Sequence, residues 1–306
     1  MIQLQRILCP IDFSDFSRRA LDHALVLAHW YQSTVTLLHV REIALFAAYA
    51  PGSGVVPSAM LTPDDRQAIL SSMKRLAESE AGPGAAIDFQ IAEGHVSDAI
   101  VAQAMDARSD LIVLGTHGRS GFERLVLGSV TEKVLRKAAC PVLTVPKALG
   151  DVVPASPLFK RIVCAIDFSD CSIHALEYAC SLAQEADAHL TVLHVIEVPS
   201  NLPVDAHETT LAGPHSLKEY IAATESERRA RLAETVPDHV RASCTVDTVL
   251  TSGSPYREIL RVASEPACDL IVMGIHGRQP ADVLFFGSTA HHIVRRAACP
   301  VLTLRQ

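Results

Sequence analysis

The chain has 306 residues, of which 49% are apolar and 20% charged, and its formal net charge is −7. This composition is typical of a soluble globular protein with about two domains, and the dispersed charges argue against a nucleic-acid-binding groove. No apolar run reaches the roughly 18 residues of a membrane span, and no secretory leader is recognisable. We therefore expect neither nucleic acid nor membrane as a partner.

In chain order, the first half alternates short apolar runs with longer amphipathic stretches. The runs read as buried parallel strands at Leu4–Pro10, Thr34–Val40, Ile87–Ile91, Leu111–Gly115 and Val142–Val145. The amphipathic stretches predict helices over Ser17–Tyr31, Pro63–Ser79, Ser97–Asp106 and Ser129–Ala138. Thr62 is expected to cap the second helix. This alternation is typical of a parallel sheet covered by helices on both faces.

The second half repeats this order. Its predicted strands are Arg161–Ala165, His189–Val195, Cys244–Val249, Leu270–Gly274 and Val301–Leu304. Its predicted helices are Cys171–Glu185, His215–Thr235, Tyr256–Ser264 and Ser288–Ala297. A Pro-containing segment separates the halves, which predicts domains over 1–147 and 159–306 with a linker over 148–158. Residues 42–61 and 197–214 are irregular, and they are interpreted as lids, partner surfaces or ordinary surface loops.

The eight cysteines form no recognisable framework. No CxxC pair and no Cys/His spacing typical of zinc is present, and the adjacent His291 and His292 would point in different directions on a helix. Cys140 and Cys299 occupy equivalent AACP positions. We expect buried free thiols, with a redox role as the alternative, and no metal site. We also expect a cytoplasmic location, because free cysteine is typical of a reducing compartment.

The halves share two strings at the ends of apolar runs. Residues 111–145 align without a gap to residues 270–304, and RILCPIDFSDFS from Arg6 matches RIVCAIDFSDCS from Arg161. Both copies keep the spacing G-x2-G-x9-G-[ST] between a predicted strand and a predicted helix, at Gly115, Gly118, Gly128 and Ser129 and at Gly274, Gly277, Gly287 and Ser288. The second glycine is expected to turn with positive φ.

This glycine pattern suits a phosphate group. Glycines let an anion approach backbone N–H donors, and a helix N-terminus adds partial positive charge. The motif is neither a Walker A loop, because no lysine precedes the serine, nor a dinucleotide fingerprint after the first strand. The alternative is that the glycines only permit tight turns. Arg119 could pair with a phosphate or lie on the surface, and His117 and His276 are interpreted as neutral packed side chains.

The first strands of both halves end in aspartates. Asp12 and Asp167 are expected at the carboxyl edge of the sheet, beside Val40 and Val195, which end the second strands. A carboxylate there can accept a hydrogen bond from a ribose hydroxyl or a base amine. The alternative role for Asp12 is capping of the following helix, for which Ser14 is better placed.

With these motifs the chain resembles the universal stress protein family as two tandem domains. The resemblance implies an α/β fold of two adenine-nucleotide α-hydrolase-like (Rossmann-like) domains, each a five-stranded parallel sheet of order 3-2-1-4-5. It also implies ATP, or AMP or ADP, as cofactor, with Mg²⁺ as a further candidate. By position, base and ribose would contact Ile11, Asp12 and Val40, and phosphates Gly115, Gly118, Gly128, Ser129 and Val130. The second site would use Ile166, Asp167, Val195, Gly274, Gly277, Gly287, Ser288 and Thr289.

Three functions follow as hypotheses. The first is a nucleotide-binding protein of stress response or signalling, in which ATP changes conformation or the choice of an unidentified protein partner. The second is a slow ATPase or nucleotide hydrolase, although no catalytic residue is recognised. The third is a scaffold with a vestigial second site, since RSGFERLVL between the first glycines becomes RQPADVLFF in the second copy. Short apolar last strands predict an intramolecular pseudo-dimer through 142–145 and 301–304, with a homodimer of the whole chain as a further possibility.

Overall fold

The structure of the chain is a computed structural model that describes residues 2–42, 61–80, 85–118, 127–146, 159–197, 217–265, 268–276 and 287–305. The chain divides into two compact units, one formed by Gln3–Pro157 and the other by Leu158–Gln306 with Met1–Ile2. The predicted linker and nearly all of the two irregular segments lie outside the described residues. So do Arg119 and Gly277 of the expected sites.

The first unit is a parallel sheet of five described strands. They are β1 (Arg6–Ile11), β2 (Thr34–Arg41), β3 (Ala86–Glu93), β4 (Leu111–Gly115) and β5 (Val142–Val145), in the spatial order β3-β2-β1-β4-β5. The helices are α1 (Asp15–Tyr31), α2 (Pro63–Glu80), α3 (Val96–Asp106) and α4 (Ser129–Lys137). The helices α1 and α2 contact each other, as do α3 and α4, so they form two pairs around the sheet.

The second unit repeats the topology. Its strands are β6 (Arg161–Ile166), β7 (His189–Glu197), β8 (Val246–Gly253), β9 (Leu270–Gly274) and β10 (Val301–Leu304), in the order β8-β7-β6-β9-β10. Its helices are α5 (Asp170–Ala186), α6 (Leu217–Thr235), α7 (Asp238–Ser243), α8 (Pro255–Ser264) and α9 (Ser288–Arg296). The predicted fold class is confirmed. The short helix α7 was not predicted, and β8 begins at Val246 rather than Cys244.

Each sheet is held by apolar strands that are covered on both sides. In the first unit Leu8, Cys9 and Ile112 are fully buried, as expected for central parallel strands. The apolar side chains of the strands pack against the helices. Helix α1 contributes a buried stripe that includes Ala20 and Leu21. The edge strand β3 instead alternates half-buried and exposed positions. The centre of the sheet therefore carries the core and the edge tolerates polar residues.

Local capping follows the sequence closely. The Asp65 N–H donates to Thr62 Oγ1 at 3.1 Å, which confirms Thr62 as the cap of α2. Asp110 lies just before β4, and its Oδ2 accepts the N–H groups of Gln5 and Arg6 at 2.8 Å each. In the second unit Asp269 accepts the N–H of Arg161 at 2.8 Å. This carboxylate fixes the start of the first strand against the fourth strand.

All eight cysteines are free, six of them buried and Cys140 and Cys244 half-buried. Within the described ranges, no helix combines the length and apolar character that a membrane crossing requires.

Candidate functional site

The carboxyl ends of β1 and β4 bring an aspartate and the glycine motif together. The two strands are neighbours. Asp12 follows β1, and Gly118 lies three residues beyond the end of β4. A methyl group placed on Gly118 would lie 2.8 Å from Asp12 Oδ2, closer than carbon atoms approach such an oxygen. The absence of a side chain at residue 118 is therefore what allows this loop to lie against the carboxylate.

Gly118 does not adopt the positive φ expected of it. Among the described glycines only Gly94 and Gly253 have positive φ. The prediction of a left-handed turn at Gly118 was therefore wrong. Glycine is required there because of the close approach to Asp12, and Gly277, its counterpart, lies outside the described residues.

Asp12 organises the turn between β1 and α1. Its Oδ1 accepts the Ser14 N–H at 3.0 Å and the Ser14 hydroxyl at 2.5 Å. The Ser14 side chain in turn accepts the Ser17 N–H at 3.3 Å and caps α1. In the second unit Asp167 and Ser169 repeat both bonds at the same distances. The helix cap is thus the serine, and each aspartate holds the cap in place.

A strained phenylalanine follows each aspartate. Phe13 and Phe168 have φ of 64° and 65°, a region that bulky residues rarely adopt and that collects at functional sites. Their rings pack on His39 and His194, with centroids 5.0 and 4.5 Å apart. Nδ1 of each histidine lies 3.0 or 2.7 Å from the carbonyl oxygen that ends the first strand. These histidines are structural, and no sequence signal revealed the strain.

The register of the first two strands places the two valines of the expected nucleotide sites beside the aspartates. Ile11 pairs with His39 and Ile166 with His194, so Val40 and Val195 lie level with the two aspartates. Both valines are half-buried. The strand ends therefore form a small cluster of backbone groups, one apolar side chain and one carboxylate in each unit.

Two further glycines serve close packing. A methyl group on Gly115 would lie 2.7 Å from Phe16 Cβ, and one on Gly274 would lie 2.9 Å from Cys171 Sγ. Phe16 and Cys171 occupy equivalent positions, so each helix following the first strand rests on a glycine. Packing against the following helix accounts for these two glycines.

The third glycine of the motif precedes a helix in both units. The Gly128 N–H donates to Thr116 O at 2.9 Å, and a methyl group on Gly128 would lie 3.0 Å from that oxygen. The Gly287 N–H donates to Ile275 O at 3.2 Å, and a methyl group there would collide with it. The first helical residues, Ser129 and Ser288, are exposed. The positive ends of α4 and α9 thus carry accessible hydroxyls, next to the half-buried Val130 and Thr289.

One anchor of this helix exists only in the first unit. The buried Thr131 hydroxyl donates to Gly115 O at 2.8 Å and ties α4 to the end of β4. Its counterpart is Ala290, which has no hydroxyl. Among the described residues, the second unit therefore lacks the side-chain hydrogen bond that ties this helix to the end of the fourth strand.

A ring nitrogen of the repeated histidine is left unsatisfied in both units. In the described part of the chain, Nε2 of His117 and of His276 are buried without a hydrogen-bond partner. His117 Nδ1 lies 3.0 Å from Thr116 Oγ1. Burial, with a smaller effect from the nearby Arg305, lowers the pKa of His276, so its ring is neutral at pH 7. Unpaired nitrogens beside the glycine motif fit a polar ligand.

The second unit adds an arginine pair that the sequence reading missed. Arg231 on α6 lies 4.3 Å and Arg228 5.8 Å from the centroid of the Phe168 ring. In the first unit the corresponding Arg75 instead donates to Ser72 Oγ at 3.2 Å. Among the described residues, no three His, Cys, Asp or Glu side chains group as a metal site.

Comparison with known proteins accounts for this paired arrangement. The model of the Universal stress protein family matches residues 3–146 and again 158–305. A universal stress protein of Methanocaldococcus jannaschii is 37% identical over 144 residues, 47% of this chain and 82% of that protein. One from Mycolicibacterium smegmatis is 25% identical over 304 residues, 98% of this chain and 96% of that protein. A universal stress protein structure from Archaeoglobus fulgidus has the same fold, with a TM-score of 0.64 at 21% identity, covering 99% of this chain and 97% of that one. The chain belongs to the universal stress protein family, with one family domain in each half.

Proposed function

We propose that each unit binds an adenine nucleotide, ATP or its di- or monophosphate, at the carboxyl ends of its first and fourth strands. The observation that carries this proposal is the close approach of Gly118 to the Asp12 carboxylate. A methyl group built on Gly118 would lie only 2.8 Å from Asp12 Oδ2. It joins a hydrogen-bond acceptor suited to a ribose with a loop suited to phosphates. Crevices outside the carboxyl ends of parallel strands are where such folds bind ligands.

The residues divide into two ends of one site. Phosphates would lie at the N-terminus of α4, where exposed Ser129 and the backbone of Gly128 and Val130 supply N–H and hydroxyl donors. Ribose and base would lie against Ile11, Asp12 and Val40. A bound nucleotide contributes negative charge at the helix end, and Mg²⁺, if it accompanies ATP, would be held by the phosphates. Arg119 stays a candidate for the phosphate end.

We infer that the two sites differ in affinity. The second unit has Ala290 in place of Thr131, so the start of α9 lacks the hydroxyl anchor that holds α4. It also has Arg231 stacked on Phe168 beside Asp167. A loop that is less anchored before binding must be ordered when the phosphates bind, and this loss of entropy lowers the affinity for the nucleotide. The nucleotide would then act through occupancy of one or both sites, changing conformation or partner binding in a stress response.

Titration calorimetry of the full chain with ATP tests this proposal. We expect two classes of site, with Gly118→Val abolishing one class and Gly277→Val the other. Met105→Ala, at a residue that is 62% exposed on α3, serves as the surface control and should leave both classes intact. Identification by mass spectrometry of nucleotide released from fresh protein gives the ligand and its stoichiometry. Absence of heat and of released nucleotide in folded protein would overturn the proposal.

A further inference from the structure

Two buried thiols lie in contact at the amino ends of β9 and β10. Cys268 precedes β9, Cys299 precedes β10, and their Sγ atoms are 3.2 Å apart. Each residue is only 8% exposed. This distance is within the range of an S–H···S hydrogen bond, and small side-chain rotations separate it from the roughly 2.05 Å of a disulfide bond.

The dithiol belongs to the second unit alone. Cys140 occupies the position of Cys299 in the first unit, but Ser109 occupies that of Cys268. The local backbone is the same, because the N–H of Ser109 and of Cys268 each donate at 2.8 Å to the carbonyl five residues earlier. The duplication therefore supplies a natural reference in which one thiol of the pair is a hydroxyl.

The environment distinguishes the two sulfurs. The hydrogen bond to Cys268, followed by burial, raises the pKa of Cys299 well above its ordinary value. Cys299 therefore keeps its proton, while either sulfur can donate the hydrogen bond between them. Thiolate is the reactive form of cysteine, so Cys299, which keeps its proton, is suited to the second step rather than to the attack on an oxidant.

We propose that Cys268 and Cys299 are a modification site, converted to a disulfide by hydrogen peroxide. The Cys268 sulfur attacks one peroxide oxygen, the O–O bond breaks, and one water leaves with the Cys268 proton, which yields a sulfenic acid. The Cys299 sulfur then attacks Cys268, the S–S bond forms, the S–O bond breaks, and a second water leaves with the Cys299 proton. The two sulfurs lose two electrons in total, and the peroxide gains them. Peroxide is small enough for a site with this little exposure.

Oxidation would close a covalent loop around the second glycine motif. The loop runs from Cys268 through β9, Gly287 and α9 to Cys299. A cross-link of about 30 residues restricts the unfolded chain, and it is expected to raise the melting temperature of this unit by roughly 5–10 °C. The inference is independent of nucleotide binding, because the two thiols lie at the amino ends of the strands and the proposed nucleotide site lies at their carboxyl ends.

Peptide mapping of the full chain tests the site directly. Trypsin places each thiol in its own peptide, Val262–Arg278 and Ala297–Arg305, while Cys140 falls in Ala138–Lys147. After peroxide treatment and blocking of remaining thiols, we expect the first two peptides to appear joined, lighter by two hydrogen atoms and separable by a reductant. The yield should rise with pH, because more thiolate forms.

Variants separate the site from general oxidation. Cys268→Ser recreates the arrangement of the first unit and should abolish the joined peptide and the rise in melting temperature, as should Cys299→Ala. Cys140→Ser is the control and should change neither. The inference fails if Val262–Arg278 and Ala297–Arg305 stay separate while the half-exposed Cys244 is oxidised. It also fails if the joined species is intermolecular or if Cys299 pairs with another cysteine.

Discussion

Two adjacent residues of α1 have opposite effects on the stability of the first unit when the pH falls. Burial lowers the pKa of His23 from 6.5 to about 4, outweighing its bond to the Arg19 carbonyl. Burial and the neighbouring Glu80 raise the pKa of Asp22 from 3.8 to about 6. Each residue changes the stability between its two pKa values, and these two pH ranges overlap. The gain from Asp22 on acidification therefore offsets part of the loss from His23. We predict that the Asp22→Asn variant makes the first unit more acid-sensitive than the wild-type protein.

The magnitudes follow from linkage. As pH falls below 6.5 the unfolded chain protonates His23 and the folded chain does not, so stability is lost down to pH 4, by about 3 kcal/mol. In the folded state Asp22 takes up its proton around pH 6, before the unfolded chain does, so its contribution to stability grows as pH falls to 3.8. Since Asp22 is only half-buried, we discount that gain to about 1.5 kcal/mol. The wild-type unit should therefore lose about 1.5 kcal/mol over this range, and the Asp22→Asn variant about 3.

The assay uses the single tryptophan of the chain. Trp30 lies on α1, so its fluorescence reports unfolding of the first unit. Urea denaturation at a series of pH values from 7 to 4 gives the free energy of unfolding for wild-type, Asp22→Asn and His23→Gln proteins. His23→Gln should reverse the trend and gain stability on acidification. Exposed carboxylates contribute equally in all three proteins, so the differences between the curves isolate this pair.

Parallel curves would refute the reasoning. If the difference between Asp22→Asn and wild type is the same at pH 7 and pH 4, Asp22 does not take up a proton in this window. If His23→Gln loses stability on acidification as steeply as wild type does, the buried imidazole is not the source of the acid sensitivity.

Three further changes have defined outcomes. Thr131→Ala removes the hydroxyl that pairs with Gly115 O and should cost about 1–2 kcal/mol in Trp30-monitored urea denaturation; an unchanged midpoint would contradict the role of this bond. Gly287→Ala drives a methyl group into Ile275 O and should lower hydrogen-exchange protection of α9, by about 1–3 kcal/mol, with protection equal to wild type as the opposing result. Gln32→Gly places glycine in a left-handed helix cap with φ of 53° and should stabilise the first unit by up to about 1 kcal/mol; destabilisation would show that the Gln32 side chain matters more.

The central strands were predictable, whereas the bounds of the edge strand β8 were not. Strands β1 and β4 are buried on both faces, so their sequences are continuous apolar runs that stand out. Strand β8 is half-buried along most of its length, and its polar residues obscure both its start and the short helix α7 before it. The edge strand β8 carries a weaker hydrophobic pattern because water, rather than a neighbouring strand, forms the hydrogen bonds on one side of its backbone.

In the candidate site, spacing predicted proximity but not conformation. The repeated motif correctly placed Gly118 beside Asp12, because parallel strands end at one edge of the sheet. It did not distinguish a glycine needed for positive φ from one needed for close approach, since both demands select the same residue. The left-handed backbone of Phe13 and the stacking of Arg231 on Phe168 depend on tertiary contacts between distant elements. Such contacts leave no local pattern.

The carboxylate that joins β1 to β4 has a consequence for synthesis on the ribosome. Asp110 accepts the N–H of Arg6 from a position 104 residues further along the chain. At about 5–20 residues per second, that edge of β1 waits on the order of 5–20 s for its partner strand to be made. During this interval the apolar first strand has one unpaired edge, and each half of the chain passes through the same period. In nascent chains of this protein an apolar strand edge is therefore open to pairing with other chains twice, once for each half.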